Sequence, residues 1–244
     1  MADQPEKLLT LSIVSHGHGA LVHGLLGDIG RHCRGVEVLL TVNVPERLPF
    51  EPSSFGFPVR LVANDAPRGF GANHNAAFRL ARGGYFCVLN PDVRLNSDPF
   101  PALTRALADE KVGVAAPVVL SPVGEIEDSA RRYPTPLSVA KKAFASRPGL
   151  DYAIGDAPFS PDWVGGMFML FRREAFERAG GFDERYFLYY EDVDLCRRLA
   201  RLGYRVELVP AARVVHNARR RSHGDIRHSL WHLSSMLRYF TSRA

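Results

Sequence analysis

Two stretches of this chain end in carboxylates placed where they could do chemistry. In Val88-Leu89-Asn90-Pro91-Asp92 an apolar run stops at a single acid. Pro91 has no N–H to lose and fixes the turn, so Asp92 emerges just beyond the run. An aspartate so placed suits a hard cation such as Mg²⁺ or Mn²⁺, which in turn holds a diphosphate; it equally suits a turn in which Asp92 caps nearby backbone. In Tyr189-Tyr190-Glu191-Asp192-Val193-Asp194 three acids crowd the predicted first turn of a helix. Acids favour that end of the helix dipole, but three repel one another, and like charges raise at least one pKa. A carboxylate raised in this way is a suitable general base for a hydroxyl. Asp194 precedes Arg197 and Arg198 by three and four residues, the spacing of an intrahelical ion pair. Glu191 and Asp192 remain as the free pair.

Weaker signals accompany them. Gly69 and Gly71 permit close backbone approach before a helix, without the lysine and hydroxyl of a phosphate-binding P-loop. Trp163-Val164-Gly165-Gly166 sets an indole beside two glycines, suited to stacking on a sugar ring and equally to core packing. His216 follows Val214-Val215 and reads either as a structural histidine at a strand end or as a neutral nitrogen ligand for a metal. No spacing matches a Cys/His or Ser/His/Asp nucleophile system.

The elements that must position these residues alternate. Strands are predicted over 8–14, 36–42, 59–63, 85–89 and 112–120, and helices over 20–33, 71–82 and 99–109. Alternation of this kind means right-handed βαβ crossovers and a mostly parallel sheet flanked by helices. Ligands of such sheets bind at the carboxyl ends of the strands, where Ser15, Asn43, Asn64 and Asn90 all fall. Residues 121–162 carry six prolines and little periodicity, the mark of a functional loop or lid. Then come a strand over 163–171, helices over 173–179 and 191–202, short strands over 204–209 and 213–215, and an amphipathic helix over 225–240. That last helix is predicted to turn Leu230, Leu233, Leu237 and Phe240 inward.

Composition bounds the alternatives. The 244 residues are 46% hydrophobic and 23% charged, the balance of an ordinary globular protein. Three scattered cysteines, Cys33, Cys87 and Cys196, make neither a disulfide framework nor a zinc cage. No apolar run is long enough to span a bilayer, and the N-terminus, with Asp3 and Glu6, has no basic-then-apolar leader. The net charge of +5 is uneven. From Arg213 to the C-terminus seven arginines face one acid, Asp225, so that stretch carries +6 and the other 212 residues −1. A basic tail fits either an anionic partner or a solvated helix face.

Taken together, these residues resemble glycosyltransferase family 2, the inverting nucleotide-sugar transferases of GT-A fold. The likeness covers roughly residues 8–216 and is most specific from Gly180 to His216, where GGFDE, an aromatic stretch, the Glu191-Asp192 pair, an arginine-bearing helix, a strand and a closing histidine follow in family order. WVGGMFMLFRREAF precedes it at the family's usual place. Asn90-Pro91-Asp92 looks like the reduced DXD motif of the bacterial rhamnosyltransferase-like branch.

The resemblance implies the following roles. Ser15 and His16 contact the base. Asn43 ends the second strand, where the family has Asp-Asn; Val42 stands in the aspartate's place and removes an acceptor for the nucleoside. Asn64 and Arg68 lie in the next nucleotide-side loop. Asn90 and Asp92 meet the ribose and the metal–diphosphate, with Mg²⁺ or Mn²⁺ as cofactor and His216 as a second metal ligand. Trp163, Gly165 and Gly166 line the acceptor or donor-sugar pocket. Asp192 is the general base, with Glu191 beside it for acceptor hydroxyls, and residues 121–162 order over the donor to exclude water.

Residues 1–216 then form the GT-A domain, with a nucleotide half over about 1–120 and an acceptor half over about 121–216, and 217–244 a basic helical extension. The expected donor is a nucleoside-diphosphate sugar, with dTDP-L-rhamnose suggested. The acceptor is a saccharide or a lipid-linked saccharide in bacterial surface polysaccharide synthesis. The expected location is cytoplasmic, with the extension against the inner face of the membrane or simply solvated. Nucleic acid is not expected, because the tail arginines lack interleaved aromatics on a sheet. The competing reading is a GT-A-like protein that binds a nucleotide sugar or glycan without turnover; the presence of Asp92, Glu191 and Asp192 counts against it. A nucleotidyltransferase would need a basic residue in the Gly-rich SHGHG loop, which has none.

Overall fold

The run Leu9–Ser15 is buried almost throughout and splits its side chains between two hydrophobic layers. Leu11 and Ile13 face one layer with Leu25, Leu26 and Ile29. Thr10 and Ser12 face the other, where Ser12 hydrogen-bonds His74 at 2.7 Å. Burial on both faces is the signature of a parallel strand covered by helices on each side. The protein is described here by a computed structural model covering residues 8–144, 149–217 and 226–242.

In chain order the first half contains β1 (Leu9–Ser15), α1 (Gly19–His32), β2 (Val36–Val42), β3 (Val59–Ala63), α2 (Phe70–Leu80), β4 (Tyr85–Leu89), β5 (Val93–Arg94), α3 (Phe100–Ala106) and β6 (Val112–Leu120). The second half contains β7 (Ala130–Arg131), α4 (Pro136–Phe144), β8 (Trp163–Val164), β9 (Phe168–Arg172), α5 (Arg173–Arg178), α6 (Glu191–Arg201), β10 (Arg205–His216) and α7 (Ile226–Thr241). Eight of the described strands form one sheet in the order β3-β2-β1-β4-β9-β6-β10-β5. β9 runs antiparallel to β4 and β6, and β5 antiparallel to β10; the remaining pairs are parallel. This is the α/β architecture that the strand–helix alternation predicts. α1 and α3 cover one face, and α2, α5 and α6 the other.

Several expectations need correction. The strand predicted over 163–171 is broken at Gly165-Gly166-Met167. β8 pairs with β7 in a separate two-stranded sheet, and only β9 joins the main one. At the break Gly166 lies tight against the Phe70 ring and in ordinary contact range of Asp192. The strands at 204–209 and 213–215 are one strand with a register shift between Val209 and Arg213. Within 121–162 lie β7 and α4, which the weak periodicity hid; Pro148 lies outside the described residues. Leu202 ends exposed, one residue past α6.

The largest correction is α7. It is a helix, but its buried residues are Ser235 and Tyr239, while Ile226, Leu230, Leu233, Leu237 and Phe240 are exposed. The helix docks through its mixed polar and aromatic side, because the surface it meets, 187–190, offers tyrosines and a bare carbonyl rather than an aliphatic groove. Asp225, His223 and the Arg219–Arg221 run lie outside the described residues. Among the described residues no helix is long and apolar enough to cross a membrane.

Candidate active site

The carboxyl ends of β1, β2 and β3 converge on Asn43. Its Oδ1 accepts hydrogen bonds from Asn64 Nδ2 and the Arg68 N–H, each at 2.8 Å. Its Nδ2 donates to the Arg68 carbonyl at 3.0 Å and faces His16 Nδ1 at 3.2 Å. Asn64 donates further to Asn73 Oδ1 at 2.7 Å. The five residues read from sequence as nucleotide-side are therefore neighbours, with different duties. Ser15 is fully buried and its hydroxyl accepts from the His18 N–H at 3.2 Å. Asn43 and Asn64 spend their amides holding the loop that carries Arg68. His16 and Arg68 are the exposed members.

Asp92 and His216 meet because of β5. The strand starts one residue after Asp92 and pairs antiparallel with the end of β10, placing Val93 opposite His216. A two-residue strand gives too little pattern to be read from sequence. His216 Nε2 lies 3.4 Å from Asp92 Oδ1, and Nδ1 lies 2.9 Å from Glu127 Oε2. Burial disfavours the charged ring, but the hydrogen bonds and charges of Asp92 and Glu127 outweigh it and push His216 up to about 8. Beyond this long approach to His216, the buried Asp92 Oδ1 has no hydrogen-bond partner. A buried carboxylate oxygen beside an imidazole nitrogen is a donor set that fits a divalent cation. Among the described residues no group of three such side chains forms a cage. Glu127 on the far nitrogen fixes the ring, as a carboxylate behind a ligating histidine does. Sequence reading missed Glu127, since it lies in the unpatterned segment.

The acid pair opens α6. Tyr189 and Tyr190 ahead of it both have left-handed backbone, φ 70° and 67°, a conformation costing roughly 1–3 kcal/mol at a non-glycine residue. Asp194 is engaged by Arg198 at 2.7 Å, leaving Glu191 and Asp192 as the sequence predicts. Asp192 Oδ2 accepts from the Gly166 N–H and Oδ1 from the Val193 N–H, both at 2.9 Å. Glu191 is buried, with Oε2 lacking a partner. Burial raises both carboxyls, and for Glu191 the neighbouring Asp192 charge raises it further. The two backbone donors and the charge of Arg131 work the other way for Asp192. Both carboxyls are thus held above their ordinary values and titrate as a pair, Glu191 well above its ordinary 4.5.

Asn90, Trp163, Gly165, Gly166, Glu191 and Asp192 line one cavity of about 710 Å³. Trp163 is buried and its indole N–H donates to the Arg132 carbonyl at 2.9 Å. Phe70, Arg131, Met167, Tyr189 and His232 are among the further lining residues that were not anticipated; Tyr189 stands in the same motif as the acids, the one signal that pointed to it.

A doubly covered sheet with a cavity at its strand ends, an acid pair at a helix start and an Asp–His pair where β5 meets the end of β10 define a glycosyltransferase of GT-A fold. The family described as glycosyltransferase like family 2 matches residues 54–230, and the chain belongs to it. Rhamnosyltransferase WbbL of Escherichia coli K12 is 27% identical, over 97% of this chain and 94% of its own. N-acetylglucosaminyl-diphospho-decaprenol L-rhamnosyltransferase of Mycobacterium tuberculosis is 34% identical over 158 residues, 61% of this chain and half of that one. Among solved structures, GalNAc-T7 with UDP, GalNAc and Mn²⁺ matches with a TM-score of 0.71 at 14% identity, over 90% of this chain and 45% of its own. The mannosyltransferase PcManGT of Pyrobaculum calidifontis, with GDP-Man and Mn²⁺, matches at 0.66 and 19% identity, over 96% and 65%. These structures share the fold.

Proposed function

We propose that the protein is an inverting glycosyltransferase that moves L-rhamnose from dTDP-L-rhamnose to a saccharide hydroxyl on a lipid-linked acceptor, in bacterial surface polysaccharide synthesis. The observation that carries this reading is Asp192, held by two backbone N–H groups in the cavity wall next to Glu191, with burial raising both carboxyls toward the range of a general base. A base so held takes the acceptor proton on a carboxylate oxygen as the hydroxyl attacks the anomeric carbon. Attack from the face opposite the departing diphosphate inverts configuration in one displacement. Arg131 lies 5.5 Å from the Trp163 ring and pairs with Asp128, a stiff wall for the acceptor side. Asp92 and His216 would hold a divalent cation, which supplies charge for the leaving diphosphate. His16, Asn43, Asn64, Arg68 and Asn90 serve the nucleotide side. The rhamnosyltransferase relatives support the sugar, and the decaprenol-linked substrate in one relative's name supports the acceptor class.

The exposed stripe of α7, with Arg227 and Arg238 on the same helix, suits the headgroup region of an anionic bilayer. The membrane's cytoplasmic face is the proposed place of work.

The test is transfer from dTDP-L-rhamnose to a short-prenyl N-acetylglucosaminyl diphosphate with Mn²⁺ or Mg²⁺. The product is followed by mass spectrometry and its anomeric configuration by NMR. Transfer with inversion, lost in Asp192→Asn, is the expected result. Transfer that survives Asp192→Asn, or retention of configuration, would overturn the mechanism.

A further inference from the structure

The helix α7 buries the wrong side for an ordinary packed helix. Its leucines are exposed, while Ser235 is 3% exposed. The reason lies in what it touches. Ser235 Oγ donates to the Leu188 carbonyl at 2.8 Å. His228 Nδ1 and the Tyr189 hydroxyl share a hydrogen bond of 3.0 Å. The Tyr190 ring sits 5.4 Å from His232 and 5.5 Å from Tyr239. Trp231 stacks on Phe187 at 4.7 Å. Each of residues 187–190 is thus held by a side chain of one helix, between His228 and Tyr239, and they end where Glu191 and Asp192 begin.

Two of the four are the left-handed tyrosines. A strained turn persists only where its surroundings over-determine it. One side is fixed by the sheet domain, where the Phe70 N–H donates to the Phe187 carbonyl at 2.9 Å. The other is fixed by α7. We propose that α7 is the positioning element for the acid pair, with Ser235 and His228 as positioning residues that hold Leu188–Tyr190 and thereby aim Asp192 at the cavity. The proposal rests on the reading of Asp192 as the base, and it gives α7 two separate surfaces: one that holds the turn and one that is left for other contacts.

The experiment compares the full-length protein with Ser235→Ala, His228→Ala and Ser235→Thr, the last keeping the hydroxyl. Amide hydrogen exchange is measured across 186–194, alongside exchange in β1 and β6 as an internal control. Exchange in 186–194 is expected to quicken by about tenfold in the alanine variants, with β1 and β6 unchanged, as for a locally released segment. Turnover of dTDP-L-rhamnose with the short-prenyl acceptor is expected to lose about tenfold or more in kcat with donor KM unchanged, since a misplaced base costs rate and not binding. Ser235→Thr is expected to restore both. Unchanged exchange in 186–194 in both alanine variants would overturn the proposal, as would quickened exchange with an unchanged kcat. If Asp192→Asn keeps full turnover, the reading of the base has failed instead, and the exchange measurement still reports whether α7 holds the turn.

Discussion

The Gly166 N–H donates to Asp192 Oδ2 at 2.9 Å, tying the break between β8 and β9 to the first turn of α6. The bond has two consequences. It lowers the cost of charge on Asp192, and it leaves little room at Gly166: a Cβ there would stand 3.6 Å from Asp192 Oδ2 and 3.2 Å from the Phe70 ring, which would have to give by a few tenths of an ångström. Gly166→Ala should cost about tenfold to a hundredfold in kcat, because a base displaced by a fraction of an ångström aims poorly. Asp192→Asn should cost about 10²–10⁴-fold. Thermal shift with dTDP and Mn²⁺ should remain in both variants, which separates lost chemistry from lost donor binding.

Glu191 supplies a pH signature. Burial and the Asp192 charge keep it protonated in the folded protein, whereas the unfolded chain releases that proton above the ordinary value of 4.5. The sign follows: stability from this group is whole below pH 4.5 and declines as pH rises, by up to about 1.4 kcal/mol per pH unit, until the folded carboxyl itself ionises. Glu191→Gln keeps the shape and cannot titrate. The melting temperature of the variant relative to the native protein should therefore climb from pH 4.5 upward. A difference flat with pH would place the proton elsewhere.

His216 is read by NMR. In the metal-free protein its ring should titrate at about 8, so its contacts with Asp92 and Glu127 stabilise the fold below 6.5 and fade as pH passes through 8. Glu127→Gln should bring the midpoint down. Glu127→Ala should weaken Mn²⁺ binding by roughly 10–100-fold by calorimetry, the usual effect of removing a carboxylate behind a ligating histidine. Unaltered Mn²⁺ affinity in that variant would remove Glu127 from the cation site.

Vesicle flotation tests the outer face of α7. Leu233→Glu with Leu237→Glu changes two side chains that are 48% and 55% exposed, so folding stability should shift by less than about 1 kcal/mol. Co-flotation with phosphatidylglycerol-containing vesicles at low salt should be abolished, and the native protein should be released as salt rises. A native protein that stays at the bottom of the gradient would end the membrane reading.

The parallel sheet and its helices were legible because apolar runs of five to nine residues alternate with helical spacing, and burial on both faces leaves such runs little choice. The acid pair was legible for a similar local reason, since the crowding of Glu191, Asp192 and Asp194 is a property of neighbours in sequence. Asp194's pairing with Arg198 needed only the helix period.

Four features were not legible. The break at Gly165-Gly166 looked like continuous strand, since glycine permits both. The approach of Asp92 to His216, implied by the resemblance alone, depends on β5, two residues long, whose Val93 pairs with His216, 123 positions away. Glu127 reaches His216 from a segment with no period at all. The apolar stripe of α7 was correctly seen as a stripe and wrongly turned inward. Periodicity states that a helix has two faces; it does not state what either face meets.

The amino-acid sequence by itself thus determined the longer strands and helices of the main sheet, and which carboxylates crowd one turn, because those depend on interactions within a few residues. The tertiary structure alone decided how deeply the acid pair is buried, which nitrogen of His216 faces Asp92, and which side of α7 docks. Each of those depends on burial and on partners supplied by distant chain, and burial is a property that no local window contains.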